Sequence, residues 1–183
     1  KAMKTWITHW YAYLQSQGFG HDRVLMYPFD ETYDNGILGR TEYQALGEIA
    51  GELHKIDPRI KVFANPVAFG PEDLEAQRQL ADDIDVWSVS SSLLQSGDHR
   101  GWPRAYTETG KRQMREFFQQ QQARGKDVWS YLVCSQETPV TAYRQHAWQA
   151  WSAGITGLGL WSYNDIRGGT SWDETADDFT MIY

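Results

Sequence analysis

Apolar residues recur along this chain in two alternating rhythms: the three-to-four spacing of an amphipathic helix, and short unbroken apolar runs of the kind buried on both faces of a sheet. Over residues 6–17, Ile7, Trp10, Tyr11 and Leu14 share one helical face and Gly18 closes the segment. The run at 23–29 predicts a strand. Thr41 stands as an N-cap before a stripe of Tyr43, Leu46, Ile49, Ala50 and Leu53, which Asp57-Pro58 stops. A strand at 60–64 follows, then a helix opened by Pro71-Glu72-Asp73 and running to Leu80-Ala81, and a strand at 85–89. A long loop covers 90–109, after which come a helix at 110–124, a strand at 127–133, a helix at 141–153 and a strand at 157–161.

Strands alternating with helices at this spacing predict right-handed parallel βα units. Two closures satisfy the pattern, an open doubly wound sheet or part of a (β/α)8 TIM barrel. No Gly-rich phosphate loop follows any strand, which disfavours a nucleotide-binding sheet. The unusual polar and aromatic residues gather at the carboxyl ends of strands, where barrel chemistry collects. The expected fold class is therefore α/β, a partial TIM barrel carrying apparent strands four to eight. A whole barrel takes about 250 residues and eight strands, whereas this chain of 183 residues offers five strands and opens in a helix. A five-stranded half leaves two bare strand edges. Residues 1–183 are thus expected to be the C-terminal portion of a TIM-barrel catalytic domain, an excerpt whose partners are the rest of its own barrel and accessory domains.

The richest strand end is Asp30-Glu31, closing Arg23-Val24-Leu25-Met26-Tyr27-Pro28-Phe29. Two adjacent carboxylates at the mouth of a buried strand repel each other across a partly desolvated gap, which is costly without a use. Cleaving a glycosidic bond needs a proton donor for the leaving oxygen and a group that stabilises the oxocarbenium-like carbon. Adjacent acids cannot flank both faces of a sugar ring, as the ordinary two-acid mechanisms require. They suit a substrate-assisted route in which the sugar's 2-acetamido oxygen attacks its own anomeric carbon, with Asp30 accepting the acetamido N–H and Glu31 acting as general acid. Successive side chains on a regular strand point to opposite faces, so the backbone must leave the strand there. Pro28, without a ladder donor, fits such a departure. The plain alternative is that one carboxylate caps the next loop or pairs with Arg23 or Arg40.

Composition narrows the partners. The net charge of −7 argues against nucleic acid and anionic membranes. No run approaches the roughly 20 apolar residues of a membrane span. The lone Cys134 excludes an internal disulfide and reads as a buried inert thiol. His9, His54 and His146 lie too far apart for metal-ligand spacing, so neither a metal nor another cofactor is expected. Aromatics reach 14%; some of these must be core, and Trp at polar strand ends also suits stacking on a flat apolar ligand face. Carbohydrate is the expected substrate class.

At these residues the chain resembles glycoside hydrolase family 123 and its relatives with a DUF4091-type barrel. Tyr27-Pro28-Phe29-Asp30-Glu31 is similar to their fourth-strand signature, Asp85-Val86-Trp87 to their sixth strand, and Gly157-Leu158-Gly159-Leu160-Trp161-Ser162-Tyr163-Asn164 to their eighth. The likeness runs from about Trp6 to Tyr183. It implies action on β-linked N-acetylgalactosamine by the neighbouring-group route, with Asp30 orienting the amide and Glu31 as acid/base; secretion or periplasmic export would suit such an enzyme. Relatives commonly carry Pro after the glutamate, where this chain has Thr32 and Tyr33.

Other strand ends supply candidate pocket walls. Asn65, before Pro66, is a sugar or acetamido hydrogen-bond partner, or a turn asparagine. Trp87 and Trp129 stand within strands as ligand walls or as core, while Tyr131 and Trp161 lie nearer the mouth. Asn164 and Asp165 follow the last strand as hydroxyl partners or caps. The loop with His99, Arg100, Trp102 and Tyr106 reads as a lid, and Ser171-Trp172-Asp173-Glu174 as an approach from the opposite side. A second enzymatic reading pairs Glu31 as acid/base with Glu137 as nucleophile, about 5 Å apart, for ordinary retaining hydrolysis. A third is a barrel that binds glycans without cleaving them in a multidomain surface protein, because fold does not fix function.

Overall fold

Two compact units make up the chain, Lys1–Trp87 and Ser88–Tyr183. The computed structural model describes residues 2–32, 36–37, 40–66, 71–94, 108–133 and 139–161. In the first unit helix α1 (Ala2–Ser16) buries Ile7 and Tyr11 and ends before Gly18, whose φ of +85° turns the chain. It begins four residues before the predicted start at residue 6. Its first turn buries nothing, and Met3 and Trp6 are exposed, so the apolar stripe carried no signal there. A 3-10 turn at His21–Arg23 leads into strand β1 (Leu25–Met26). The strand predicted over 23–29 is therefore only two residues long. The turn consumes its start, and from Tyr27 the chain leaves the ladder, helped by Pro28, which has no N–H to pair.

A short antiparallel hairpin follows, β2 (Gly36–Ile37) with β3 (Arg40–Thr41), which periodicity did not foresee. Helix α2 (Glu42–Ile56) opens in a capping box: Gln44 N–H donates to Thr41 Oγ1 at 3.1 Å, and Thr41 N–H donates to Gln44 Oε1 at 3.1 Å. Its inner face buries Tyr43, Leu46, Ala50 and Leu53, as the stripe predicts, with Ile49 half-buried. Strand β4 (Lys61–Ala64) pairs parallel with β1, Leu25 opposite Lys61 and Met26 opposite Val62. After helix α3 (Pro71–Gln79), strand β5 (Val86–Ser90) pairs parallel with β4, Phe63 opposite Val86 and Ala64 opposite Trp87. Asp85 ties this edge down, its Oδ2 accepting from Val62 N–H at 2.9 Å and lying 3.1 Å from His54 Nε2.

In the second unit α4 (Glu108–Ala123) buries Met114, Phe117 and Phe118. Strand β6 (Asp127–Val133), helix α5 (Val140–Ser152) and strand β7 (Gly157–Trp161) follow, both strands with the predicted bounds. They pair parallel from Trp129 opposite Gly157 to Val133 opposite Trp161. A Cβ at Gly157 would overlap the Trp129 indole, so glycine is what lets that ring lie across β7. Behind the sheet, buried His146 on α5 places Nε2 3.0 Å from Ser130 Oγ on β6. Within each unit the parallel strands follow chain order with no reversal and are joined through helices. A doubly wound sheet requires a reversal. The fold class is α/β, a partial (β/α)8 arrangement. Among the described residues no helix is long and apolar enough to cross a membrane.

Two outcomes follow from these contacts. Thr41→Ala removes one arm of the capping box and is expected to cost about 1 kcal/mol in urea unfolding. Burial pushes His146 below the ordinary histidine value of 6.5, so over that interval the unfolded chain binds a proton that the folded one refuses. This contribution to stability is whole above about pH 6.5 and is lost as pH falls toward the folded-state value. Urea midpoints should fall more between about pH 7.5 and about pH 5.5 in the natural protein than in His146→Gln.

Candidate active site

Parallel strands end at the same edge, so the segments leaving β1 and β4 emerge side by side. After Met26 the first carries Tyr27, Asp30 and Glu31; after Ala64 the second carries Asn65. The ring of Tyr27 packs edge-on against Phe63, centroids 4.9 Å apart. This contact brings the phenol to the end of β4. Its oxygen lies 2.6 Å from Asn65 Oδ1, and its hydroxyl donates to Asp30 Oδ1. Asn65 Nδ2 donates to the same Asp30 oxygen at 3.1 Å, and Asn65 Oδ1 accepts the Glu31 backbone N–H at 2.9 Å.

The proton count of this cluster is informative. Glu31 N–H can only donate, so it fixes the Asn65 oxygen toward itself and the amide nitrogen toward Asp30. The phenol has one proton and two oxygen neighbours. The carboxylate is the stronger acceptor, so the proton belongs to Asp30. Burial first, then the hydrogen bond to Asp30 and the carboxylate's charge, push Tyr27 well above the ordinary tyrosine range, against smaller opposing contributions from Glu31 N–H and Asn65.

Glu31 is the described non-glycine residue with positive φ, at +46°. This left-handed conformation is disfavoured for a residue with a Cβ. Together with the end of β1 at Met26, it supplies the departure from strand geometry that two adjacent acids on one side require. Asp30 is exposed and Glu31 half-buried. Both described bonds of Asp30 go to Oδ1, and no described residue bonds its Oδ2. Its described partners are Tyr27 and Asn65, not Arg23; the side chain of Arg40 lies outside the described set.

The structure thus gathers Asp30, Glu31 and Asn65 of the expected site, and adds Tyr27. Sequence reading missed Tyr27's role, although an aromatic with a polar tip just past a strand is a usable signal. Trp87 is fully buried in the core of the first unit, the packing alternative at that position. In the second unit Tyr131 is half-buried opposite Gly159, and Trp161 closes β7 opposite Val133. Trp102, Tyr106, Asn164, Asp165, His99, Arg100, Glu137, Trp172 and Cys134 lie outside the described residues.

The opposite end of β1 and β4 holds a different feature, a cavity of about 230 Å³ lined by Tyr11, Gln15, His21, Asp57 and Arg59 among others. There Tyr11 stacks on His21 at 4.8 Å, and Asp57 sits 3.3 Å from His21 Nε2 and 2.7 Å from Arg59 Nη2. Hydrogen bonds from Arg59 hold the Asp57 carboxyl well below the usual range. None of the acid pair lines this cavity. Among the described residues no group of three or more His, Cys, Asp or Glu side chains is placed to hold a metal ion.

No family model and no curated protein matches the chain. Among solved structures it is similar to a hyperthermostable endo-1,4-beta-D-mannanase from Thermotoga petrophila, at 16% identity and a TM-score of 0.41, over 73% of this chain and 43% of that one. It is also similar to a glycoside hydrolase family 5 mannosidase from Rhizomucor miehei, at 13% identity and a TM-score of 0.39, over 84% of this chain and 48% of the other. The chain spans less than half the length of these structures.

The phenol offers a direct check of the cluster. In ultraviolet titration, the difference between the natural protein and Tyr27→Phe should show one tyrosine ionising above the ordinary range. In Asp30→Asn the same signal should move down toward the ordinary value, because the hydrogen bond to a carboxylate and its negative charge are both removed.

Proposed function

We propose that this chain carries the acid pair of a retaining β-N-acetylhexosaminidase, with N-acetylgalactosamine preferred through its resemblance to glycoside hydrolase family 123. The observation that carries the reading is the tethering of Asp30. One of its oxygens is held by Tyr27 and Asn65, and among the described residues none bonds the other, which can accept from a ligand. A carboxylate fixed in this way suits a substrate amide N–H. Glu31, next in the chain, supplies the proton.

In the first step Glu31 gives its proton to the glycosidic oxygen as the bond to the anomeric carbon breaks. The acetamido carbonyl oxygen attacks that carbon from the other face, and Asp30 stabilises the positive charge on the forming oxazolinium through the amide N–H. In the second step Glu31, now a carboxylate, takes a proton from water as the water oxygen attacks the anomeric carbon and the ring reopens. Two inversions leave the configuration retained, and Glu31 regains its proton. The chemistry of these two steps needs no cofactor. The substrate is a carbohydrate bearing an acetamido group, and the remainder of a barrel in a longer chain would complete the pocket around it.

The test uses the full-length protein on aryl N-acetyl-β-galactosaminides, N-acetyl-β-glucosaminides, galactosides and glucosides. Turnover restricted to the acetamido sugars, inhibited by N-acetylgalactosamine-thiazoline, is expected. Glu31→Gln should lower kcat by about 10²–10⁴-fold on substrates with poor leaving groups and less on activated aryl glycosides. Asp30→Asn should depress both. An Asp30→Asn enzyme of near-natural rate on an N-acetyl substrate would rule out acetamido participation.

A further inference from the structure

We infer that Tyr27 and Asn65 form a positioning clamp for the acid pair, with Asn65 serving the acids rather than the sugar. The inference rests on the proposed glycosidase reading and assigns a role to two residues that do not themselves touch the reacting atoms. Both ends of the Asn65 amide are engaged: one accepts from Glu31 N–H at 2.9 Å and the other donates to Asp30 Oδ1 at 3.1 Å. One side chain from β4 thereby fixes the backbone of one acid and the carboxylate of the other.

The bond to Glu31 has a specific task. At φ +46° that residue sits in a conformation that a Cβ disfavours. In the strand region adjacent side chains point to opposite faces; the positive φ of Glu31 departs from that alternation, as the proposed reading requires of two neighbouring acids. The Asn65 oxygen holds the N–H in the left-handed turn. The Tyr27 hydroxyl and Asn65 Nδ2 both donate to Asp30 Oδ1, and two donors on one oxygen restrain rotation of the carboxylate. Phe63 in turn holds the Tyr27 ring, at 4.9 Å and nearly perpendicular.

The clamp makes a prediction that a purely structural role does not. Tyr27→Phe keeps the ring and its packing on Phe63 and deletes only the oxygen. Asn65→Asp keeps an acceptor for Glu31 N–H and sets a second carboxylate against Asp30 Oδ1 in place of the amide donor, so that the clamp pushes where it held. In the full-length protein both should lower kcat on the aryl N-acetyl-β-galactosaminide by about 10–100-fold, the range seen when a group that orients a reactive ligand is lost. KM should change little, and affinity for N-acetylgalactosamine-thiazoline, which resembles the oxazolinium, should fall in step with kcat/KM. Thermal midpoints are measured alongside, and if Tyr27→Phe does not fold, Asn65→Asp carries the test.

A kcat within about twofold of natural in the folded variants overturns the clamp while leaving the acid pair intact. A loss that falls wholly on KM overturns it too, because it marks Asn65 or Tyr27 as a ligand contact. A natural protein without turnover on any acetamido sugar, and indifferent to Asp30→Asn and Glu31→Gln, removes the glycosidase reading itself, and the clamp with it.

Discussion

The parallel register of β1 on β4 is the constraint from which the first unit's chemistry derives. With Leu25 opposite Lys61 and Met26 opposite Val62, the next residue of each strand brings Tyr27 against Phe63. Both strands then end at one edge. Residues more than thirty positions apart in the chain, Asp30 and Asn65, come within hydrogen-bond distance there. A shift of one residue in that register would turn every side chain of β1 to the other face, and the cluster would not exist.

Short strands carry a cost as well as a use. β1 has only two residues in its ladder, so the backbone groups beyond it must find other partners. The side chain of Asn65 provides one, for Glu31 N–H. A strained non-glycine residue persists only where its surroundings determine it, and such residues gather at functional sites. Glu31 combines both conditions: a positive φ and a specific acceptor for its amide. Around it, packing supplies rigidity from behind, through the capped helix α2 and through Asp85, which accepts from the β4 backbone.

Legibility followed the continuity of the apolar pattern. Strands β6 and β7 were readable to the residue because each is a nearly unbroken apolar run, opened at Asp127 and at Gly157. The stripe and cap of α2 were readable because five inward residues recur at helical spacing behind Thr41. The start of α1 was not, because its first turn buries nothing. The length of β1 was overestimated because an apolar run does not reveal where pairing stops; Pro28 hinted at it, and the turn at His21–Arg23 took the other end. The hairpin of β2 and β3, two residues a side, is too short to show an alternation.

The candidate site divides along the same line. The amino-acid order by itself determined the α/β alternation, the placing of polar residues after apolar runs, and the adjacency of Asp30 and Glu31, because these are properties of neighbours in the chain. Only the tertiary structure decided that Asn65 faces the acids, that Tyr27 gives its proton to Asp30, that Trp87 is core, and that Glu31 adopts a left-handed turn. Each of those depends on which atoms two distant strands bring within about 3 Å of each other, and no local pattern encodes such a distance.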